Sequence, residues 1–229
     1  MMRHRIAPVI GLALLFAVGC VDSAQDDSAQ AADALRDATE ELRQDVRSSL
    51  DDFGTQMERL DQQYMSAADD VADGWSDTRT EMREYREGIE ANLAQLETAT
   101  ADDAQRLKRD IAEDLERLTE RVERAELESV EDGEEFLSAS RDRMDRLEED
   151  FEALGDEAAS LSEAAREEAS GPLEALRDRA NELETHLNGL ADATAEEIAS
   201  ERDDIAQAIG VLAASVRREL FEMRQAVTE

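Results

Sequence analysis

Aromatic residues are scarce in this chain. Its 229 residues include five Phe, two Tyr and one Trp, which is 3% of the sequence. Because aromatic side chains supply much of the area buried in ordinary globular cores, so small a number disfavours a compact α/β enzyme. Two Pro and ten Gly are also too few for the many turns of a β-sandwich or barrel, and for a collagen-like or Pro-rich chain.

Residues that bind metals or act as catalysts are also scarce. The chain has two His, and the residue three before His186 is Leu183, whereas a di-iron bundle needs Glu there. Residues 69–80 partly match an EF-hand loop, but Val71 occupies a ligand position and Thr80 stands where the bidentate Glu belongs. The sequence has no Gly-rich phosphate loop, and no Ser or Cys nucleophile has a nearby His base. We therefore predict a protein that is not an enzyme and has no cofactor or dedicated metal site.

Cysteine occurs once, at Cys20, which excludes an internal disulfide. Arg3 and Arg5 precede an apolar run over residues 6–19 that leads up to this Cys. At about 1.5 Å per residue the run spans roughly 21 Å, which is short of the ~30 Å hydrocarbon layer. The pattern predicts a secretory signal peptide over residues 1–19 rather than a transmembrane helix.

The end of the apolar run, Ala17-Val18-Gly19-Cys20, resembles the lipobox of bacterial lipoproteins, where a lipidated Cys becomes the mature N-terminus. The resemblance implies lipidation of Cys20, with two or three acyl chains that make a permanent membrane anchor. In lipoproteins of bacteria with two membranes, an Asp after this Cys holds the protein at the inner membrane. Val21 in that place implies the outer membrane, facing the periplasm. The alternative is an ordinary signal peptide that is cut near Ala24.

A long helical pattern follows the leader and accounts for most of the chain. Residues 22–30 contain no large apolar side chain, so residues 20–30 are predicted to be a flexible acidic tether and residues 31–229 an elongated helical domain. Gaps of three and four residues separate the apolar positions of this domain, as in the a/d seam of a coiled coil. The first stripe is Leu50, Phe53, Met57, Leu60, Tyr64, Ala67, Val71, Trp75, Thr78, Met82, Tyr85 and Ile89. We predict an all-α fold in which Trp75 belongs to the core.

Breaks in the helical pattern are few. Residues 98–103 predict a turn with Thr100 or Asp102 as the N-cap, and Pro172 predicts the first turn of a new helix because it cannot continue one. Asp132-Gly133 and Asn188-Gly189 are weaker candidates for a bend or turn. The predicted helices are 31–97, 102–169 and 172–227, and they form either an antiparallel helical bundle or a coiled-coil rod.

An internal repeat is one hypothesis for this pattern. Residues 96–103 align with residues 190–197 at an offset of 94, which also superposes Ile111 on Ile205 and Leu118 on Leu212. However, 94 residues are close to about 26 helical turns. Two unrelated amphipathic helices would therefore also align their stripes at this offset.

The charge of the chain is strongly negative. It has 59 Asp and Glu against 25 Lys and Arg, a net charge of −34, and Lys108 is the only Lys. Nucleic-acid binding needs basic patches, which the body of the chain lacks. Because most acids have no helical i, i+4 partner, we expect mutual repulsion to weaken the fold and added salt to strengthen it.

These features favour a structural role in the cell envelope. In plan the chain resembles a murein-type lipoprotein, with a lipobox Cys followed by a coiled coil, although Val227-Thr228-Glu229 offers no Lys for attachment to peptidoglycan. We expect a scaffold or adaptor without catalysis, which is anchored through Cys20 and contacts a protein partner or itself through its seams. No small-molecule substrate is evident. The alternative is a holdase-like or lipid-binding protein whose amphipathic helices open around apolar clients.

Overall fold

A computed structural model describes the backbone of residues 23–65 and 69–227, and the side chains of residues 39–65, 74–100 and 102–225. Within these residues the chain forms six α-helices and no β-strand. The predicted all-α fold is thus confirmed. The helices are α1 (Ser23–Tyr64), α2 (Asp69–Leu96), α3 (Ala101–Glu128), α4 (Gly133–Ser160), α5 (Glu163–Gly189) and α6 (Ala195–Val227).

The three predicted helices correspond to six shorter ones. The first, 31–97, is interrupted at Met65, and the second, 102–169, is interrupted between α3 and α4 and again between α4 and α5. Side-chain caps explain the later breaks, because the Asp132 carboxylate accepts a hydrogen bond from the Glu135 N–H at 3.0 Å and starts α4. The predicted cap of α3 is confirmed, since the Thr100 hydroxyl accepts from the Asp103 N–H at 3.3 Å.

The predicted helix start at Pro172 is wrong, because α5 runs from Glu163 through Pro172 to Gly189. An interior Pro removes one backbone hydrogen bond and its ring crowds the preceding residue. That residue is Gly171, which has no Cβ to crowd, and both Gly171 and Pro172 are exposed. Water can therefore form a hydrogen bond with the backbone carbonyl oxygen that has no N–H donor because Pro172 lacks one. The start of α5 is set instead by Ser162, whose hydroxyl accepts from the Ala165 N–H.

The first helix begins earlier than the sequence predicts. The backbone is helical from Ser23, so residues 23–30 of the predicted flexible tether belong to α1. Ala24, Ala29, Ala31 and Ala32 supply the residue with the highest intrinsic helix propensity, which outweighs the lack of apolar side chains. The predicted leader 1–19, Cys20 and the first tether residues lie outside the described residues.

The helices fold back into two antiparallel three-helix units. Unit one is α1–α3 and unit two is α4–α6, and each has its own apolar core. In unit one Arg43 near the start of the α1 core forms an ion pair with Glu97 just beyond the end of α2. Arg121 of α3 pairs with Glu81 of α2 at 3.0 Å. These contacts show that neighbouring helices run in opposite directions, and they select the bundle over the extended rod.

The two units join through α3 and α6. Arg218 of α6 lies 3.2 Å from Glu116 of α3, and a Cβ added at Gly210 would lie 2.9 Å from the carbonyl oxygen of Glu120. The two helices are therefore antiparallel and their backbones approach closely where Gly210 stands. A larger residue at this position would push the units apart.

Two of the three pairs of helix starts repeat with the offset of 94 residues, whereas α1 and α4 do not start at equivalent positions. Asp69 of α2 corresponds to Glu163 of α5, and Ala101 of α3 corresponds to Ala195 of α6. Helical periodicity aligns stripes but places no constraint on where helices begin, so these two coincidences support a repeated three-helix unit. Buried residues of the two cores also coincide at this offset: Phe53 and Leu147, Leu60 and Leu154, Met82 and Leu176, Ile89 and Leu183, Ile111 and Ile205, Leu118 and Leu212, Val122 and Val216.

The contacts between α3 and α6 follow an approximate two-fold axis. Under the 94-residue correspondence, Glu116 maps to Gly210 and Arg218 maps to Arg124. Glu116 contacts Arg218, and the position of a Cβ on Gly210 is 3.6 Å from the Arg124 side chain. The approximate two-fold rotation therefore converts the Glu116–Arg218 contact into the Gly210–Arg124 contact, and both are observed. Each unit presents the same face of its third helix to the other unit.

Candidate functional site

Cys20, the one predicted site residue, lies outside the described part of the chain. His186 is exposed at the end of α5, with its Nε2 3.5 Å from a carboxylate oxygen of Glu201. Among the described residues no group of three or more His, Cys, Asp or Glu is arranged to hold a metal ion. None of the described helices is long and apolar enough to cross a membrane.

Trp75 lies in the core of unit one, as predicted. Its indole N–H donates to Asp61 at 2.9 Å, and its ring stacks on Tyr64. The Tyr64 hydroxyl donates to the Ala125 carbonyl at 3.1 Å. Burial, with a smaller contribution from the Glu128 carboxylate, raises the pKa of Tyr64 to about 12. This cluster is structural, because its polar atoms are all occupied within the fold.

A buried ion pair links unit one to unit two. Glu123 of α3 is 1% exposed and pairs with Arg143 of α4. Burial lowers the pKa of Arg143 to about 10, and the nearby cations Arg146 and Arg217 act in the same direction. Isolated charges at such positions would be strongly unfavourable, so each member depends on the other. The pair lines a narrow cleft of about 170 Å³ between α3 and α4.

A larger cleft lies between α1, α3 and α6, on the other side of the approximate two-fold axis. Its volume is about 530 Å³, which is within the usual range of small-molecule sites. Glu157 of α4 closes one side. Apolar side chains form much of the wall: Leu42, Val46, Ala112, Leu115, Leu220 and Phe221. We refer to it below as the α1–α3–α6 cleft.

Four of the residues that line the cleft are cationic, namely Lys108, Arg217, Arg218 and Arg224, against three acids. This balance is the reverse of the chain as a whole, in which acids outnumber bases by 59 to 25. The cleft is therefore the place where the described structure gathers positive charge.

Arg224 and Arg218 are neutralised by acids of the protein, and Lys108 also has an interaction partner in the chain. Arg224 lies 3.6 Å from Asp45 and 3.2 Å from Glu157, both of which are lining residues. Arg218 pairs with Glu116 and, at 2.9 Å, with Glu222. The pKa of Arg218 is raised, first by its hydrogen bond to Glu222. Neither group needs a further anion.

Arg217 differs from these two. Its guanidinium lies over the ring of Phe53, with 5.1 Å from Cζ to the ring centroid. No carboxylate oxygen of the described side chains lies within 4.0 Å of its nitrogens. Burial lowers the pKa of Arg217, while the more distant Asp150 and Asp52 oppose that effect. The cleft thus contains a half-buried guanidinium without an ion-pair partner in the described chain.

No apolar stripe or motif of the sequence indicates this cleft. Arg217 follows Val216 in the last apolar stripe and looks there like one of many arginines on a helix surface. The one sequence feature that bears on Arg217 is the 94-residue offset. It aligns Arg217 with Glu123, so that a cation stands where the equivalent buried position has an acid. Comparisons of the chain with protein-family models, with curated proteins and with solved structures found no match.

Proposed function

We propose that this chain is a lipid-anchored scaffold or adaptor of the bacterial cell envelope, which acts without catalysis. The observation that supports this most directly is the start of α1 at Ser23, three positions after Cys20. A lipid on Cys20 would then be linked almost directly to a helix of 42 residues, about 63 Å long. The part of α1 that precedes Leu42, its first core residue among the described side chains, covers residues 23–41, and this part, about 28 Å long, would act as a stiff arm between the membrane and the bundle.

The packing of the bundle favours this role over the holdase alternative. The apolar seams of the described helices are buried within the two cores, and the large hydrophobic side chains exposed among them are Met65 and Val211. A protein that covers apolar clients needs an accessible apolar face. Partner contacts would instead use the acidic outer faces, which suit basic or polar surfaces.

The first test is the mass of the mature protein from its native host. The proposal predicts a chain that begins at Cys20 and carries acyl groups. A mature chain that begins near Ala24, or an unmodified Cys20, would contradict the anchor. Val21→Asp is a sharp companion variant, because the lipoprotein resemblance predicts that it moves the protein from the outer to the inner membrane.

The second test is cross-linking in the native host followed by mass spectrometry. We expect one protein partner, or this chain itself, to be captured in a defined ratio by the wild type and lost with Cys20→Ser. A broad set of unrelated exported proteins would support the holdase alternative instead. Equal capture by Cys20→Ser in the same compartment would show that the anchor plays no part.

A further inference from the structure

The α1–α3–α6 cleft and the buried Glu123–Arg143 pair occupy equivalent places in the repeat. At the 94-residue offset Glu123 corresponds to Arg217, and Arg143 corresponds to Ser49. Both Arg217 and Ser49 line the cleft. The approximate two-fold axis therefore relates a narrow cleft of about 170 Å³ with a neutralised ion pair to the wider α1–α3–α6 cleft of about 530 Å³.

The two substitutions explain why one cleft is narrow and the other wide. In the narrow cleft the long side chain of Arg143 reaches from α4 to the carboxylate of Glu123. In the α1–α3–α6 cleft the short side chain of Ser49 leaves more of the corresponding space unoccupied by the described side chains, and the acid of the pair is replaced by the cation Arg217. The cleft consequently has volume, an apolar wall and a guanidinium, that of Arg217, whose counterpart Glu123 has an oppositely charged partner.

We propose that the α1–α3–α6 cleft binds a single-chain amphiphile with a carboxylate head group, of the fatty-acid class. The charges of the pair are reversed in the cleft: Arg217 stands where Glu123 stands in the other half of the repeat, and the carboxylate of the ligand takes the place that the Arg143 guanidinium has beside Glu123. The hydrocarbon chain lies against Leu42, Val46 and Leu115. This goes beyond the scaffold role, which would stand unchanged if the cleft were empty in the cell.

The chemistry of the cleft selects this class of ligand. A planar guanidinium forms paired hydrogen bonds with a carboxylate, and these charge-assisted bonds are stronger where water is excluded. A small anion alone would gain nothing from the apolar wall, and the acidic surface of the chain would repel it. An uncharged or cationic amphiphile would leave Arg217 without an anion or place a like charge beside it. Only a ligand with both an apolar chain and an anionic head satisfies both parts of the lining.

The test uses the exported full chain with Cys20→Ser, so that its own lipid does not compete, and isothermal titration calorimetry below the micelle concentration of the probe. We expect saturable binding of dodecanoate at one site per chain. Acetate tests the anion without the chain, and dodecyltrimethylammonium tests the chain with the opposite charge. We expect neither to bind comparably. Equal binding of the cationic probe, or no binding of dodecanoate, would overturn the proposal.

Matched variants locate the site. Arg217→Gln should weaken dodecanoate binding by about tenfold or more, because it removes a charge-assisted contact. Arg47→Gln removes the same charge from an exposed position of α1 and should leave binding unchanged. The double variant Ser49→Arg with Arg217→Glu places an ion pair like Glu123–Arg143 in the cleft. It should abolish binding while keeping the helical circular dichroism spectrum. Wild-type affinity in either cleft variant would overturn the proposal.

Discussion

Tyr64 and Trp75 stack face to face across the junction of α1 and α2, with ring centroids 4.8 Å apart and ring planes at 7°. Tyr64 also reaches α3 through its hydrogen bond to Ala125. Two side chains from different helices thus hold all three helices of unit one at the same end. In a chain with only eight aromatic residues, this pair concentrates much of the aromatic packing of the unit.

Tyr64 makes the stability of the bundle sensitive to alkaline pH. Its pKa rises from 10.0 to about 12 on folding, so between these values the unfolded chain loses this proton while the folded chain keeps it. The free energy of unfolding should therefore fall as pH rises through this window, by about 1–3 kcal/mol. Denaturation at a series of pH values, with tyrosinate absorbance, measures the effect.

Tyr64→Phe is the control for that measurement. It removes the titrating hydroxyl together with one hydrogen bond, which lowers stability by a constant amount, and the alkaline loss should become smaller. Arg143, with its pKa lowered to about 10, titrates there with the opposite sign, so the difference between the two proteins is the relevant quantity. Parallel pH profiles for wild type and Tyr64→Phe would show that the titration of Tyr64 is not linked to folding.

Gly210 permits the close approach of α3 and α6. Gly210→Ala places a methyl group 2.9 Å from the Glu120 carbonyl oxygen, and we expect it to lower the free energy of unfolding by about 1–3 kcal/mol. Gly74→Ala is the matched control, because nothing lies within 4 Å of its added Cβ. In an exposed helix that change should instead stabilise by about 0.5–1 kcal/mol. Urea denaturation of both variants distinguishes the interface effect from helix propensity, and equal effects would argue against the interface.

The Glu123–Arg143 pair should show strong coupling in a double-mutant cycle. Arg143→Met leaves the buried carboxylate of Glu123 without its cation and should cost about 3–5 kcal/mol. Adding Glu123→Leu removes the unpaired charge, so the double variant should recover most of that loss. Chemical denaturation of the four proteins gives the coupling energy. Additive losses would mean that the two groups do not depend on each other.

Salt should stabilise the protein. With a net charge of −34, repulsion among acids on the outer faces opposes compaction, and the Debye length falls from ~10 Å at 0.1 M to ~3 Å at 1 M. Helix content and melting temperature should therefore rise between about 0.05 M and about 1 M NaCl. Circular dichroism melts measure both quantities, and a flat profile would show that the acids are already neutralised by their neighbours.

The sequence was sufficient for the fold class but not for the helix count. Stripes of three and four residues predicted Phe53, Leu60 and Met82 as core, and they are buried. The break at Ser162 was missed because one serine cap carries little signal, whereas Pro172 carries a strong signal that Gly171 offsets. Local chemistry suggests where a helix can end, and tertiary packing decides which of those positions is used.

The candidate site could not be predicted from the stripes alone. Arg217 and Ser49 are separated by most of the chain, and they line the same cleft only because α6 of unit two packs against unit one. At the 94-residue offset Glu123 aligns with Arg217, so the sign of the charge is reversed at this position. This reversal could be interpreted only once the structure showed that Glu123 is buried and paired. Burial is a property of the assembled bundle, so the structure was needed to see it.

The central structural claim is that the two units pair within one chain through α3 and α6. Cysteines at Glu116 and Arg218, in the Cys20→Ser chain, allow one pair of spin labels to report that distance by pulsed electron paramagnetic resonance. We predict a short, narrow distance distribution that is unchanged when the labelled chain is diluted with unlabelled chain. A long or broad distribution, or a short distance that disappears on dilution, would show that the helices are extended or pair between chains, and would contradict the account.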